Sequence, residues 1–349
     1  MRVLTDFHHS SLLRATNLLF GDRLGMEVYR PIGMEWFDEG FWAINDQRDT
    51  AEQFLAFDSQ PIDNTAKLNE MVEGDGAHIS TFVIADPGGS STHRAATWDF
   101  FTRNEFDYII ASIPAHIPLF KDLIAKYQPK AKLIVQMGNE WPDEFWTGNV
   151  LASVKPRESR ANAMFYHQEF DLEIFKPSPV PDTRKVYSFI NCLQQQMPLA
   201  WSDFTGLEML LKARSGFEFK SFGGQCRDGN MTGPQELANK MREASMIFHV
   251  KEGGDGFGHI IYNAYAVGRP VIARSRFYKD RLAEELLIPG TFIDLDKHNL
   301  PEAFNMINRL HYDPEGLKAM GERAARRFRE VVDYEQEAER IRAWLRNLS

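Results

Sequence analysis

Short apolar runs alternate with helix-length stretches along most of this 349-residue chain. Runs of this length, separated by helices, are typical of strands that are buried on both faces of a parallel sheet. The predicted strands are, in chain order, 2–5, 26–30, 79–85, 108–112, 132–136, 186–190, 218–222, 246–250, 270–273 and 291–295. The alternation therefore predicts an α/β fold with doubly wound parallel sheets.

Helices are predicted between these strands from capping residues and helical periodicity. Ser10 or Ser11 can cap the first helix, and Gly25 can end it. The further predicted helices are 119–127, 204–213, 235–244, 257–267, 300–310 and a tail over 314–348 that is rich in Arg and Glu.

A proline-rich segment, KPSPVPDTRK at 176–185, interrupts the alternation near the middle of the chain. Closely spaced prolines make a stiff, non-helical connection, and a chain of this length suits two hydrophobic cores better than one. We therefore predict an N-terminal domain over 1–178 and a C-terminal domain over 179–330. The last stretch, 331–349, is predicted to be a helix that packs back on the N-terminal domain.

Composition narrows the class of protein. The net charge of −9 argues against a large nucleic-acid footprint, because phosphate neutralisation needs clustered Lys and Arg. No apolar run approaches the roughly 20 residues that span a bilayer. The two cysteines, Cys192 and Cys226, do not form a CxxC pair, which predicts a reducing, cytoplasmic setting without disulfides.

A glycine-rich loop is the most informative local feature. The apolar run at 246–250 leads into KEGGDGFG at 251–258, and a predicted helix follows directly. Glycines let backbone amides approach a ligand closely, and a helix N-terminus favours anions or hydrogen-bond acceptors. The loop is thus predicted to bind a phosphate or a sugar hydroxyl group. The alternative is an ordinary strand-to-helix crossover whose glycines only make turns.

The segment around this loop resembles the C-terminal domain of retaining glycosyltransferases of the GT-B type, the group that includes glycogen and sucrose synthases. Their pattern is an acidic residue with GFG, a second acidic residue eight positions later, and A-x-x-x-G-x-P-V-I. Here DGFG stands at 255–258, Asn263 at the second acidic position, and AYAVGRPVI at 264–272. QEFDLEIFKP at 168–177 and LKAMGERAAR at 317–326 are similar to further segments of that group.

The resemblance implies a GT-B fold, in which two Rossmann-like domains with parallel sheets face a central cleft. It also implies transfer of a sugar from a nucleotide-diphosphate sugar, UDP- or GDP-linked, with retention and without a metal ion or other cofactor. Asp255 would bond hydroxyl groups of the donor sugar, and Asn263 the ribose hydroxyls. Asp255 is one methylene shorter than the usual Glu, and Asn263 lacks the usual charge.

The donor-binding prediction extends to residues around the loop. Backbone groups of Gly256, Phe257 and Gly258 would face the sugar and the diphosphate, with Lys251 and His259 beside them. The group usually carries an Arg and a Lys after the first strand of this domain, but INCLQQQMPL at 190–199 has no basic residue. Candidates to stabilise the leaving diphosphate are Arg227, Lys251, Arg274 and Arg276, and Gly223 is also predicted to contact the donor.

The N-terminal domain would bind the acceptor. Residues that follow its predicted strands are placed at the carboxyl edge of the sheet, where ligands bind. The acceptor-binding prediction covers Asp6, His8, Ser10 and Asn139. His9 and His116 are predicted to act with Asp255 in catalysis, as groups that handle protons. The alternative for any one of these histidines is packing or solvation.

Two classes of function follow. The first is a hexosyltransferase-like enzyme, whose acceptor could be a glycan, a lipid-linked sugar, a protein, a metabolite or a hydroxymethylated DNA base. The second is a non-catalytic GT-B relative that binds a nucleotide sugar or glycan as a recognition module. Asn263 and the missing basic pair motivate the second class. The oligomeric state is left open.

Overall fold

A computed structural model describes residues 1–6, 10–31, 36, 81–86, 89–139, 141–154 and 161–348. The chain divides into two compact units. The first comprises Met1–Phe170 together with Tyr334–Ser349, and the second comprises Asp171–Asp333. The division after Phe170 falls somewhat before the predicted boundary at residue 178, and the C-terminal residues belong to the first unit.

The first unit contains an eight-stranded sheet with the order β3-β4-β2-β1-β5-β6-β7-β8. Its strands are β1 (Arg2–Thr5), β2 (Glu27–Pro31), β3 (Thr81–Asp86), β4 (Gly89–Ala96), β5 (Tyr108–Ala111), β6 (Lys132–Met137), β7 (Asn149–Ala152) and β8 (Asn162–Phe165). All neighbours are parallel except β3 and β4, which pair antiparallel at one edge. The antiparallel edge pair departs from the all-parallel sheet that the alternation predicts, because the polar run of β4 gives no hydrophobic signal.

Helices and apolar layers cover both faces of this sheet. The helices are α1 (Ser10–Thr16), which continues as a π-helix over Asn17–Arg23, then α2 (Trp98–Arg103), α3 (His116–Tyr127) and a C-terminal helix (Tyr334–Arg346). Leu4 and Ile109 belong to one layer, whereas Val3 and Ile110 belong to the other, as the two-residue period of a strand requires. The C-terminal helix adds Ile341 to the second layer.

Buried hydrogen bonds between His167 and Glu337 also hold the C-terminal helix within the first unit. The Nδ1 atom of His167 lies 2.6 Å from Oε1 of Glu337, and the backbone N–H of His167 donates to Oε2 of the same carboxylate at 2.7 Å. Both carboxylate oxygens are therefore used to attach the helix to the segment that follows β8.

The second unit contains a five-stranded parallel sheet with the order β10-β9-β11-β12-β13. Its strands are β9 (Lys185–Ser188), β10 (Glu218–Ser221), β11 (Met246–Phe248), β12 (Val271–Ala273) and β13 (Phe292–Asp294). Its helices are α4 (Leu193–Gln196), α5 (Pro198–Ser215), α6 (Pro234–Glu243), α7 (His259–Val267), α8 (Leu300–His311) and α9 (Pro314–Val331). The tail over 314–348, predicted as helical throughout, consists of two helices, because α9 ends at Val331 and the C-terminal helix begins at Tyr334.

Arg269, directly after α7, fixes the proline-rich segment to the second unit. Its guanidinium is fully buried and donates to the carbonyl oxygens of Ser178, Pro179, Met241 and Arg242 at 2.9–3.1 Å. It also donates to Oγ of Ser178 at 2.7 Å. Burial lowers the pKa of Arg269 to about 10, so the side chain stays charged at neutral pH and its donors remain available. One side chain therefore joins the proline-rich segment, through which the chain enters the second unit, to the end of α7.

Candidate functional site

The glycine-rich loop connects β11 to α7 and depends on left-handed backbone conformations. Gly253, Gly254 and Gly258 have φ values of 74°, 86° and 85°. A Cβ atom on Gly254 would lie 2.3 Å from Cζ of Arg281, which no real Cβ tolerates. Gly258 occupies the N-cap position of α7. All three positions thus require glycine for backbone freedom, and at Gly254 a larger residue would also displace the Arg281 guanidinium.

Asp255 is the charged centre of this loop. It is only 6% exposed, and its Oδ2 atom lies 2.5 Å from Nε2 of His249. Its Oδ1 atom lies 2.8 Å from Nζ of Lys251. Burial alone would raise the pKa of Asp255, but the facing His249 and Lys251 outweigh it and hold the pKa well below its usual range. The carboxylate is therefore ionised at neutral pH.

Arg281 supports the loop from a segment far along the chain. Its guanidinium is buried, donates through Nη2 to the carbonyl oxygen of Gly253 at 3.1 Å, and also donates to that of Asp255. Sequence reasoning missed both Arg281 and the pairing of His249 with Asp255. His249 directly follows an apolar strand, and a histidine at that position gives no signal of its partner.

The first turn of α7 carries an aromatic cluster. The rings of Phe257 and Tyr262 stack with centroids 4.2 Å apart, and His259 meets Phe257 edge-on at 4.8 Å. Burial lowers the pKa of His259 to about 4, although the nearby Asp255 carboxylate acts against this shift. His259 is therefore neutral at pH 7, so it can offer a phosphate a hydrogen bond but no full positive charge.

Asn263, at the second predicted donor position, is buried in α7. Its Oδ1 atom has no hydrogen-bond partner among the residues that the structure describes. A buried amide oxygen without a donor is destabilising by about 1–3 kcal/mol. The position therefore suits a ligand that brings hydroxyl donors.

The predicted basic residues outside the loop already have carboxylate partners. Arg274 contacts Asp203 at 2.7 Å and Asp296 at 3.1 Å. Arg227 contacts Glu208 at 2.8 Å and also donates to the carbonyl oxygen of Phe219. Arg276 shares Asp296 with Arg274, at 3.1 Å. Lys251 differs from these three arginines, because its carboxylate partner is the predicted sugar-binding residue itself.

Gly223 lies at the turn after β10, where the backbone comes close to the turn after β9. Its φ is 132°, and a Cβ there would lie 2.5 Å from Oδ1 of Asn191. The neighbouring N–H of Gly224 donates to that same oxygen at 2.8 Å. The conformation of Gly223 is thus explained by this contact between two turns.

A second buried polar cluster lies at the carboxyl edge of the first unit. Asp6 and His116 are both 0% exposed, and Nδ1 of His116 lies 2.9 Å from Oδ2 of Asp6. The backbone N–H of Ser112 lies 2.9 Å from each oxygen of Asp6, and its hydroxyl also donates to Oδ1. Strands β1 and β5 are adjacent, which brings these residues together.

The remaining predicted acceptor and catalytic residues have simpler outcomes. His8 and His9 lie outside the described residues. Ser10 begins α1, but its side chain also lies outside the description. Asn139 is exposed, two residues after β6.

Among the described residues, no group of three or more His, Cys, Asp or Glu side chains is placed to hold a metal ion. In the same part of the chain, no helix is long and apolar enough to cross a membrane.

Comparison with known proteins identifies the fold. No protein-family profile matches the sequence, and no curated protein matches it. Solved structures do match over the whole length of the chain. HepE from Anabaena in complex with UDP is 14% identical, with 99% of this chain and 100% of that chain covered and a TM-score of 0.59.

Two further structures support the same fold. A variant of S. aureus TarM in a complex that includes UDP is 12% identical, with 99% of both chains covered and a TM-score of 0.62. Sucrose-phosphate synthase from Thermosynechococcus elongatus is 10% identical, with 100% and 99% coverage and a TM-score of 0.59. The chain therefore has the α/β fold of GT-B glycosyltransferases, which confirms the fold predicted from the resemblance.

Proposed function

We propose that the protein is a glycosyltransferase that moves a sugar from a nucleotide-diphosphate sugar, UDP- or GDP-linked, to an acceptor. The observation that carries this proposal is the buried, ionised Asp255 in a glycine loop that opens α7. A carboxylate in that position can accept hydrogen bonds from sugar hydroxyls, and charge-assisted bonds of this kind are strong. The GT-B fold and the UDP in the HepE and TarM complexes support the same class of donor.

The proposed roles divide along the loop. Asp255 binds the sugar, and the backbone of 256–258 with the N-terminus of α7 faces the diphosphate. Asn263 binds the ribose hydroxyls, for which its unpartnered oxygen is suited. Lys251 is our preferred cation for the leaving diphosphate, because Arg227 and Arg274 are held by carboxylates elsewhere. Gly223 and His259 remain predicted donor contacts.

The first unit is proposed to bind the acceptor. His116, oriented by Asp6, and His9 are the proposed proton-handling groups, and His8, Ser10 and Asn139 remain the predicted acceptor contacts. Asp6, predicted as a further acceptor contact, is 0% exposed, so its proposed role is to orient His116. The acceptor itself stays open among a glycan, a lipid-linked sugar, a protein, a metabolite and a modified DNA base. Mass spectrometry of products formed from a mixed acceptor extract would identify it.

We also propose that transfer retains the anomeric configuration and needs no metal ion, as the resemblance implies. The charge of the leaving diphosphate would then be balanced by Lys251 and the positive end of α7. NMR of the product gives the anomeric configuration, and activity measured with and without a chelator tests the metal requirement. Product of inverted configuration, or loss of activity with the chelator, would contradict these two points separately.

The decisive test of the proposed function is incubation with a panel of UDP-, GDP- and ADP-sugars. We expect calorimetry to show binding of one nucleotide class, and we expect slow hydrolysis or transfer of its sugar. If no sugar nucleotide is bound or cleaved, the proposal is wrong.

A second candidate is a non-catalytic module that binds a nucleotide sugar or glycan. It is favoured by the neutral Asn263 and by the carboxylates that occupy Arg227 and Arg274. Donor binding without turnover against any acceptor would support this candidate. Measurable transfer would exclude it.

A further inference from the structure

The two oxygens of Asp255 contact different kinds of partner. Oδ2 contacts His249, whose side chain is 2% exposed, whereas Oδ1 contacts Lys251, whose side chain is 38% exposed. One oxygen is thus held by an interior group and the other by a group that solvent reaches. A ligand arriving from solvent would compete for Oδ1 and leave the contact of Oδ2 intact.

The side chains of His249 and Lys251 differ in their freedom to move. The imidazole of His249 is 2% exposed, and the residue is also held through its backbone, whose N–H donates to the carbonyl oxygen of Ile272 at 2.8 Å and whose carbonyl oxygen accepts from the hydroxyl of Tyr278 at 3.3 Å. Lys251 carries its ammonium group on a flexible four-carbon stem that can swing away. The imidazole is therefore the permanent partner of Asp255, and the lysine is the exchangeable one.

The second ring nitrogen of His249 indicates how the imidazole acts. Nδ1 is buried and has no hydrogen-bond partner among the residues that the structure describes. An ionised carboxylate only accepts hydrogen bonds, so Nε2 carries the hydrogen and donates it to Oδ2 of Asp255. The imidazole therefore acts on Asp255 through Nε2.

We infer that His249 is a positioning residue of the donor site: it holds Oδ2 of Asp255 so that Oδ1 is presented to a hydroxyl of the donor sugar. Lys251 leaves Oδ1 when the donor binds and turns towards the diphosphate. The short side chain of Asp255 makes such support necessary, since an aspartate must reach the sugar from a fixed backbone with one methylene fewer than a glutamate. This inference rests on the proposed function.

The test compares His249→Leu with His249→Gln, because glutamine retains an N–H donor near the place of Nε2. The control is His298→Gln, since His298 is a partly exposed histidine 3.9 Å from Glu302. Using the sugar nucleotide that the wild type accepts, we expect His249→Leu to lower kcat/KM about 100-fold, as loss of a hydrogen bond to a charged group implies. His249→Gln should stay within about fivefold of the wild type, and His298→Gln should match it.

A measurement that needs no turnover accompanies the kinetics. The carboxyl carbon of Asp255, labelled with carbon-13, is titrated by NMR in the wild type and in both His249 variants. We expect the pKa of Asp255 to rise in His249→Leu and to stay near the wild-type value in His249→Gln, because only glutamine still donates to the ionised form. Thermal unfolding of each variant shows that the comparison is made on folded protein.

The outcomes separate the inference from the function on which it rests. Wild-type kcat/KM in His249→Leu would overturn the positioning role. Equal loss in both His249 variants, at wild-type unfolding temperatures, would also overturn it, because ring shape would then matter and the N–H would not. If the wild type handles no sugar nucleotide, the proposed function fails, and the NMR titration alone decides whether His249 sets the state of Asp255.

Discussion

Both units carry a buried histidine–aspartate pair at the carboxyl ends of parallel strands, and the two pairs differ in what else bonds the carboxylate. The carboxylate of Asp6 is hydrogen-bonded to the His116 ring and to both the backbone N–H and the hydroxyl of Ser112, and all three residues are buried. Asp255 receives one buried histidine and one lysine that is partly exposed.

The difference shows how one residue pair can serve two purposes. The carboxylate of Asp6 is saturated by fixed groups of its own unit, so its main effect is to hold β1, β5 and the start of α3 together and to orient His116. The carboxylate of Asp255 keeps one oxygen under a movable partner, so a ligand can replace that partner. We therefore expect mutations at Asp6 to reduce stability first, and mutations at Asp255 to reduce transfer first.

The largest effect is expected for Asp255→Asn. The amide keeps the size of the side chain but loses the charge, and one of its two ends would present N–H groups to His249 or Lys251. We expect kcat/KM for the donor to fall at least about 1000-fold, since charged contacts to the reacting sugar are lost. Asp122→Asn, at an exposed position of α3, is the control and should be unchanged. Retention of a tenth of the activity would contradict a central role for Asp255.

Asp6→Asn should act mainly on stability. An amide cannot accept with both ends, so at least one donor of Ser112 or His116 loses its partner in the protein interior. We expect the free energy of unfolding to fall by about 3 kcal/mol, measured by urea denaturation. Unchanged stability together with lost transfer would instead make this pair part of the reaction centre.

Lys251→Met should have a smaller effect, about tenfold on kcat/KM, because Lys251 is one of several groups that face the leaving diphosphate. The apolar stem is kept, so the change isolates the charge. Lys279→Met, which alters an exposed lysine of the same unit, serves as the matched control. If the two variants behave alike, the leaving-group role belongs to another cation.

The smallest effect is a pH dependence of stability. The pKa of Asp255 is depressed in the folded state, so its ionised form stabilises the fold at pH values above the unfolded pKa of about 3.8. That contribution is lost as the pH falls from about 4 towards the folded pKa, by at most about 1.4 kcal/mol for each pH unit. Unfolding of the wild type and of Asp255→Asn should therefore converge between about pH 4 and pH 2. A constant difference over that range would show that the carboxylate is not stabilised by its neighbours.

Local patterns in the sequence predicted the parts of the fold whose signal is local. The apolar runs of β1 and β5 stand out because both faces of these strands are buried. The strands β4, β7 and β8 were not predicted, because a polar or very short strand carries neither a long apolar run nor a clear alternation. The π-helical turn over Asn17–Arg23 was also not predicted, since it has nearly the same apolar spacing as an α-helix.

The same distinction applies to the candidate site. Asp255 and its glycines could be found because the loop is contiguous. The partners Asp6 and His116 were each singled out, but their contact spans 110 positions and depends on β1 lying beside β5. Arg281, 26 positions from the carbonyl oxygen of Asp255 that it bonds, lies in a segment without any motif. The spacing of residues in the sequence does not predict contacts that depend on which strands are neighbours in the sheet.

The carbonyl oxygens that accept from the buried Arg269 guanidinium determine where the second unit can be cut out as a fragment. A recombinant fragment that began at residue 179, the boundary expected from the prolines, would lack Ser178 and with it two acceptors of the Arg269 guanidinium. A fragment that begins near Asp171 keeps all of these acceptors. Of two fragments that differ by only these eight residues, the longer one should therefore give the higher soluble yield. An exchange of this unit between related chains would have to include the proline-rich segment.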